Sequence, residues 1–377
     1  MPRPQTTLKP EDRPMRRCSL RLLLAALMLS PLVDGSASAK EYLLTSTRPN
    51  TLVMIDPAAR KVTRTYDIAG PGAVLGIVPS PDNRIVYAVT NHWGSVVGID
   101  LDSGKEVFHA DFSSGALRVR NTFGMEVSAD GRELYVLLLP TEIGRNEYTV
   151  QEPHIAVYRT DAGLEAKPVR TLPVPRRTTT LLRSTDGSKL YCVSWDIHVI
   201  DPKDGRELEV KKVTHLPRPG FAEPDVFGVW NQFEQAKVFI NPYTVASAGG
   251  DSAAPGPMKN GMVTLDLASG EMRMKEFEDT TKVIFSAVVN PKKRDEAFAV
   301  YTTLAKIDLA GGALVKRIDL PHTYYTVNIS GDGREVYVGG TMDDIGIYSS
   351  ETLEKLGEVK LPGGGDQSLS WVRVINR

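Results

Sequence analysis

Residues 184–209 read STDGSKLYCVSWDIHVIDPKDGRELE. The stretch holds two short apolar strands, KLYCV and IHVID, each tied to a turn rich in Asp, Ser and Gly. Such turns suit tight hairpins, because Asp and Ser bond locally and Gly accepts positive φ. The same pattern recurs along the whole chain. Its second half has relatives in TLVMIDPAARKV from Thr51, SVVGIDLDSGKEV from Ser95, HIAVYRTDAGLEA from His154, GMVTLDLASGEMR from Gly261, LAKIDLAGGALV from Leu304 and DIGIYSSETLEKL from Asp344. Its first half returns as SPDNRIVYAV from Ser80, SADGRELYVL from Ser128 and SGDGREVYVG from Ser330, and more weakly from Asn231 and Asn290. Repetition at roughly 40–50 residues, built only from strands and turns, is the signature of a β-propeller. Seven copies predict an all-β, seven-bladed propeller.

Each unit reads as four strands, A to D. The ends of the chain do not fit this frame separately. EYLLTST, TLVMIDP and KVTRTYDIA supply strands B, C and D of one blade, and QSLSWVRVIN from Gln367 is an unpaired strand. Joining them completes one blade and removes the open edges of a linear array. The A–B and C–D turns then share one side of the disc, and the B–C and D–A loops share the other. The long insertions fall on the second side: Leu139–Pro153 as a B–C loop of the third blade, Asn241–Asn260 as a B–C loop of the fifth, and Lys212–Pro224 as the D–A loop between the fourth and fifth. Extra length on one face of a repeat array marks a binding face.

Composition narrows the function. Residues 1–39 look like a secretory leader: Arg16 and Arg17, the apolar run LRLLLAALMLSPLV from Leu20, and a small-residue cleavage site at Ala37-Ser38-Ala39. The Arg pair resembles a twin-arginine signal, although Ser19 stands where such signals place a large apolar residue. The expected destination is the periplasm, with the propeller as residues 40–377. The apolar run is too short for a membrane span, and no other stretch approaches ~20 apolar residues. Cleavage removes six of 45 basic and three of 46 acidic residues, leaving 39 against 43. That balance excludes a strong nucleic-acid footprint. Only Cys192 remains in the mature chain, within an apolar strand, so it reads as a buried small hydrophobe.

The sequence holds no HExxH, GxSxG, P-loop or CxxCH motif, and no Cys/His spacing for zinc. No catalytic, cofactor or metal residue is assigned to this chain. Of six scattered His residues, His322 is singled out because it opens PHTYYTVN, a strand A at the channel on the long-loop face. Aromatics gather in the same places: Trp230, Phe233 and Tyr243 in the fifth blade, Tyr324 and Tyr325 in the seventh. Aromatic anchors with a few polar groups suit a protein interface or an apolar ligand. Asp225 and Asn231 are polar residues beside that group. The expected pocket set is Asp225, Trp230, Asn231, Tyr243, His322, Tyr324 and Tyr325.

EPDVFGVWNQFEQ, INPYT, GMVTLDLASGEM, LPHTYYTVNISGDG and LPGGGDQSLSWVR together resemble the β subunit of quinohaemoprotein amine dehydrogenase, from KEYLL to the last strand. That resemblance implies a periplasmic heterotrimer. A small subunit would carry a quinone formed from its own Cys and Trp, and a further subunit two haem c groups. The propeller would carry no cofactor, hold the small subunit and help form the pocket for a primary amine. Two other classes stand beside it: a free-standing exported binding propeller, and a lactonase-type propeller enzyme with a polar cluster at the channel.

Overall fold

The computed structural model describes residues 39–228, 230, 232–247, 256–280, 282–367 and 369–377. Seven antiparallel sheets succeed one another along the chain. Blade 2 is Ile77–Pro79, Ile85–Thr90, Ser95–Asp100 and Glu106–Asp111. Blade 3 is Met125–Val127, Glu133–Ile143, His154–Arg159 and Arg170–Pro173. Blade 4 is Thr180–Arg183, Leu190–Val193, Ile197–Ile200 and Glu207–Lys211. Blade 5 is Asp225–Val226, Val238–Ala246, Met258–Asp266 and Met272–Asp279. Blade 6 is Ser286–Val289, Glu296–Val300, Thr303–Asp308 and Ala313–Asp319. Blade 7 is Tyr324–Ile329, Glu335–Gly340, Asp344–Ser349 and Lys355–Lys360.

Blade 1 is the composite that the two ends of the sequence demand. Glu41–Thr47 pairs with Thr51–Asp56 on one side and with Arg373–Asn376 on the other, Leu43 opposite Val374. Lys61–Asp67 completes it. Backbone bonds between Lys40 and Arg377, at 2.7 and 2.9 Å, extend the closure to the last residue. The strand is shorter than QSLSWVRVIN. Gln367 instead turns inward, where Thr45 Oγ1 donates to its Oε1 at 3.0 Å.

The repeated turns hold the blades by the same bonds each time. Ser80, Ser128, Ser184 and Ser330 each donate to the Asp two residues on, at 2.5–2.6 Å. Each also accepts an amide five residues on, at or just before the start of strand B, at 2.9–3.0 Å. The following position needs positive φ, met by Gly131, Gly187 and Gly333 at 73° and by Asn83 at 57°. At the C–D turns, Asp56, Asp100, Asp201, Asp266 and Asp308 accept backbone amides of the turn. The acidic turns are therefore structural.

Both faces of each blade are apolar because both pack on neighbours. Tyr87, Phe108 and Tyr158 illustrate the join of blades 2 and 3, meeting edge to face at 5.6 and 6.0 Å. Cys192 is fully buried, and burial pushes its thiol up.

Two insertions expected as loops are largely strand. In blade 3, strand B runs on to Ile143 and folds back through Tyr148–Val150, with Leu117–Arg120 pairing its other edge. In blade 5, strands B and C extend as a hairpin, Ala246 opposite Met258. The backbone of an arm that leaves the disc must bond to itself, and strand pairing does this. Residues 248–255 lie outside the described residues.

Candidate docking face and axial cluster

Strands A are innermost, so side chains from different blades meet across the axis. On the long-loop side they are aromatic. Trp230 of blade 5 lies nearly parallel to Phe285, which leads into blade 6, and to Tyr325 of blade 7, with centroids 5.7 and 5.5 Å away. Phe285 stacks on Tyr301 at 3.9 Å and on Tyr325 at 5.3 Å. Phe227 and Phe123 reach Trp230 from blades 5 and 3, each at 6.2 Å. Trp230 Nε1 donates to the carbonyl of Leu369, ahead of the closing strand, at 3.2 Å. Trp230 itself is only 4% exposed, whereas Phe227 is 45% exposed. The cluster is a plug with an open outer surface.

Below it the axis is polar and ionic. Gln232 bonds with Thr326 Oγ1 of blade 7 at 2.6 Å. Arg373 of the closing strand is 2% exposed and pairs across the axis with Glu234 of blade 5. Its Nε donates to the Ile77 carbonyl of blade 2 at 3.0 Å, and its guanidinium lies 4.2 Å over Trp371. Glu126 of blade 3 is buried beside Arg183 of blade 4 at 3.6 Å. Burial pushes the Glu126 carboxyl up, with Arg183 opposing. Buried charges persist only when paired; Arg373 ties blade 1 to blades 2 and 5, and the Glu126–Arg183 pair ties blade 3 to blade 4.

The expected pocket residues separate into three places. Trp230 and Tyr325 belong to the aromatic plug. His322 and Tyr324 form a polar cluster at the blade 7 rim: His322 Nε2 lies 2.9 Å from Asp344 Oδ1, and the Tyr324 hydroxyl donates to Asp344 Oδ2 at 2.7 Å. Tyr324 is fully buried, and burial with the Asp344 bond raises its pKa. Tyr243 lies elsewhere again. It is buried within blade 5, and its hydroxyl donates to Glu276 Oε1 at 2.5 Å beside Arg218. Burial works against the Glu276 charge, but Tyr243 and Arg218 hold its pKa low. Gly261 makes room for that ring: a Cβ there would stand 2.2 Å from Tyr243 Cζ. Asp225 is exposed in the two-residue strand that pairs with Thr244 and Tyr243. Asn231 lies outside the described residues.

Residues not anticipated from sequence include Phe123, Phe227, Phe285 and Tyr301 in the plug, and Trp93 and Trp195 on the rim. Their shared signal was position: all but Phe227, which follows the short strand A of blade 5, sit in or beside a B–C or D–A connection. Among the described residues, fifteen large apolar side chains are exposed, and nine of them lie on the long-loop face. The other six lie on strands D or in the C–D connection of blade 3; of the nine, Phe227 follows the short strand A of blade 5 and is counted by its contact with Trp230, and no other A–B connection carries one. An apolar bias of this kind on one face marks an interaction surface. Among the described residues no cluster of His, Cys, Asp and Glu has the form of a metal site, and no helix is long and apolar enough to cross a membrane.

No protein-family model matches this sequence, and no curated protein matches it. Solved structures do. Hydrazine synthase of Kuenenia stuttgartiensis is similar with a TM-score of 0.55 and 13% identity, over 83% of this chain and 90% of that one. The dihydro-heme d1 dehydrogenase NirN in complex with DHE gives 0.53 and 16%, over 90% and 75%. A functionally unknown protein from Desulfotomaculum acetoxidans gives 0.56 and 11%, over 89% and 99%. At these identities the likeness is one of fold. The class established is the seven-bladed β-propeller.

Proposed function

We propose that this chain is the cofactor-free propeller subunit of an exported quinohaemoprotein amine dehydrogenase. Its leader would be cleaved near Ala39 and the mature chain would work in the periplasm. Its partners would be a small subunit bearing a Cys-Trp-derived quinone and a dihaem cytochrome c subunit. The long-loop face would hold the small subunit, with the aromatic plug forming one wall of the pocket for a primary amine. The observation that carries this reading is the one-sided distribution of exposed apolar side chains, centred on Phe227 and the plug. Supporting it are the sequence resemblance in the EPDVFGVWNQFEQ and LPHTYYTVNISGDG segments, which supply Phe227, Trp230 and Tyr325. The residues at the axis support a binding role for this chain. Its long-loop end is closed by aromatic rings and its interior by ion pairs, an arrangement suited to rigidity.

The test is to tag the mature chain, produce it together with its neighbouring reading frames, and purify it. The expected product is a complex with haem c absorbance that reduces a dye when an amine is added. The chain alone is expected to show neither absorbance nor turnover. Isolation without any haem protein, in a host expressing all frames, would instead favour a free-standing exported binding propeller.

A further inference from the structure

The rim of blades 2–4 differs from the aromatic plug in chemistry and in backbone. Trp93, in the B–C loop of blade 2, is 38% exposed, and Trp195, in that of blade 4, is 49% exposed. An arginine lies over the Trp195 ring, and another lies near the backbone next to Trp93. The Arg177 guanidinium lies 4.9 Å over the Trp195 ring. A Cβ on Gly94, next to Trp93, would stand 2.9 Å from Arg120 Nη1, and the Asn121 amide donates to the Trp93 carbonyl at 2.9 Å. Exposed Trp with adjacent Arg is the composition of interface hot spots.

The backbone here is held in an unfavourable region. Among the described residues, nine non-glycine positions have positive φ. Four are in the short turns. The other five are Asn91, His92, Trp93, Phe123 and Arg177, at φ 50–75°, all on the long-loop side of blades 2–4. Left-handed conformations cost a bulky residue roughly 1–2 kcal/mol. Asn91, His92 and Trp93 lie in the tight B–C hairpin turn of blade 2, where the Gly94 amide donates to the Thr90 and Asn91 carbonyls at 3.1 and 3.0 Å, whereas Phe123 and Arg177 lie in D–A connections that are not hairpins. Strain of this sort collects where side chains must be presented.

The charge on the rim indicates the partner. Among the described residues of this rim, Arg118, Arg120, Arg145 and Arg177 have no carboxylate partner, while Glu142 and Glu147 on the blade 3 arm and Glu223 in the loop after blade 4 lack a cation, and Asp111 and Asp196 meet histidines. Arg176 is neutralised by Glu152 at 2.6 Å. We propose that the rim of blades 2–4, centred on Trp93, Trp195, Arg120 and Arg177, docks an acidic surface of a protein partner. A phosphate polymer is the other anionic occupant such a rim could take; the exposed Trp–Arg composition favours a protein surface, and the oligonucleotide titration below separates the two. The inference rests on reading the long-loop side as a docking face, and is independent of what cofactor the partner carries.

Two measurements test it. In the first, a photo-cross-linking amino acid replaces Tyr148, 74% exposed on the blade 3 arm, or Val315 on the outer strand of blade 6. Adducts from position 148, to partner peptides rich in Asp and Glu, are expected. Adducts only from position 315, or to neutral or basic peptides, overturn the proposal. An acidic partner with neither haem nor quinone supports this inference and defeats the dehydrogenase reading. In the second, the purified mature chain is titrated with an oligo-glutamate peptide and, separately, a single-stranded oligonucleotide, following the fluorescence of the exposed tryptophans. Saturable binding of oligo-glutamate is expected, weakened about tenfold by moderate salt and by Arg120→Glu with Arg177→Glu. No response, or an equal response to the oligonucleotide, overturns it. His92→Gly is expected to raise Tm by relieving φ while weakening oligo-glutamate binding several-fold. A raised Tm with unchanged binding removes Trp93 from the surface and overturns its placement there.

Discussion

The two sides of the disc are built by opposite rules. The short-turn side repeats itself: Ser-x-Asp-Gly between strands A and B, and an acidic residue capping the C–D turn, with the same bonds in blade after blade. The long-loop side repeats nothing. It carries the projecting arms, the exposed tryptophans and the open surface of the aromatic plug. What recurs in every copy is needed to make a blade, and what occurs once must serve something else. The boundary between the two lies along the axis, where Trp230 faces the long loops and the Arg373–Glu234 pair lies below it.

The comparison can be broken most severely at the closure. Deleting Gln367–Arg377 removes strand A of blade 1, Arg373 and Trp371 together. The expected outcome is loss of cooperative thermal unfolding and a shift to aggregates by size exclusion. A truncated monomer melting within a few degrees of the intact chain would refute the closure.

Next is the plug. Trp230→Ala should cost about 3–5 kcal/mol, the range for emptying a buried aromatic site, measured by denaturant titration. Trp195→Ala, on the rim, should change stability by less than about 0.5 kcal/mol, yet weaken partner binding by ~2 kcal/mol. Equal stability losses at the two tryptophans would erase the distinction between plug and rim.

A smaller effect is expected on the repeating side. Ser330→Ala removes a hydroxyl that bonds Asp332 and accepts the amides of Arg334 and Glu335. About 1 kcal/mol of stability should be lost, with partner binding unchanged. Weaker binding at undiminished stability would place function on the short-turn side.

The smallest effect concerns pH. Partial burial opposes the charge on His109, but Glu106 at 2.6 Å and Asp111 at 3.3 Å outweigh it and raise its pKa. A raised value in the folded state means stability that is full below the unfolded value of about 6.5 and is lost as pH rises through the folded one. His109→Asn should therefore cost a few tenths of a kcal/mol near pH 5.5, discounted for solvent screening, and less above pH 8. Melting curves at the two pH values check the sign.

Much of this was legible from residue order alone. Strand pattern and turn chemistry are local, and local rules repeated seven times give the number of blades. The unmatched halves at Glu41 and Arg373 likewise required closure. The acidic turns were correctly read as structure, since Asp100 and Asp266 bond their own turn amides. The candidate pocket was less legible. Tyr243 and Trp230 look alike in the sequence, yet one packs within blade 5 against Glu276 and the other meets blades 6 and 7 at the axis. The long insertions looked like loops, because nothing in LPTEIGRNEYTVQEP announces that its halves pair.

The sequence by itself determined the seven blades, the composite first blade and the side of the disc that carries the insertions, because each follows from periodicity along the chain. Only the tertiary structure decided which aromatics share the axis and which tryptophans face solvent. Phe123, Trp230, Phe285 and Tyr325 come from blades that are distant in sequence, and ring closure alone brings them together. Whether a side chain fills the hub or stays on the rim depends on how the blades meet, which no local pattern encodes.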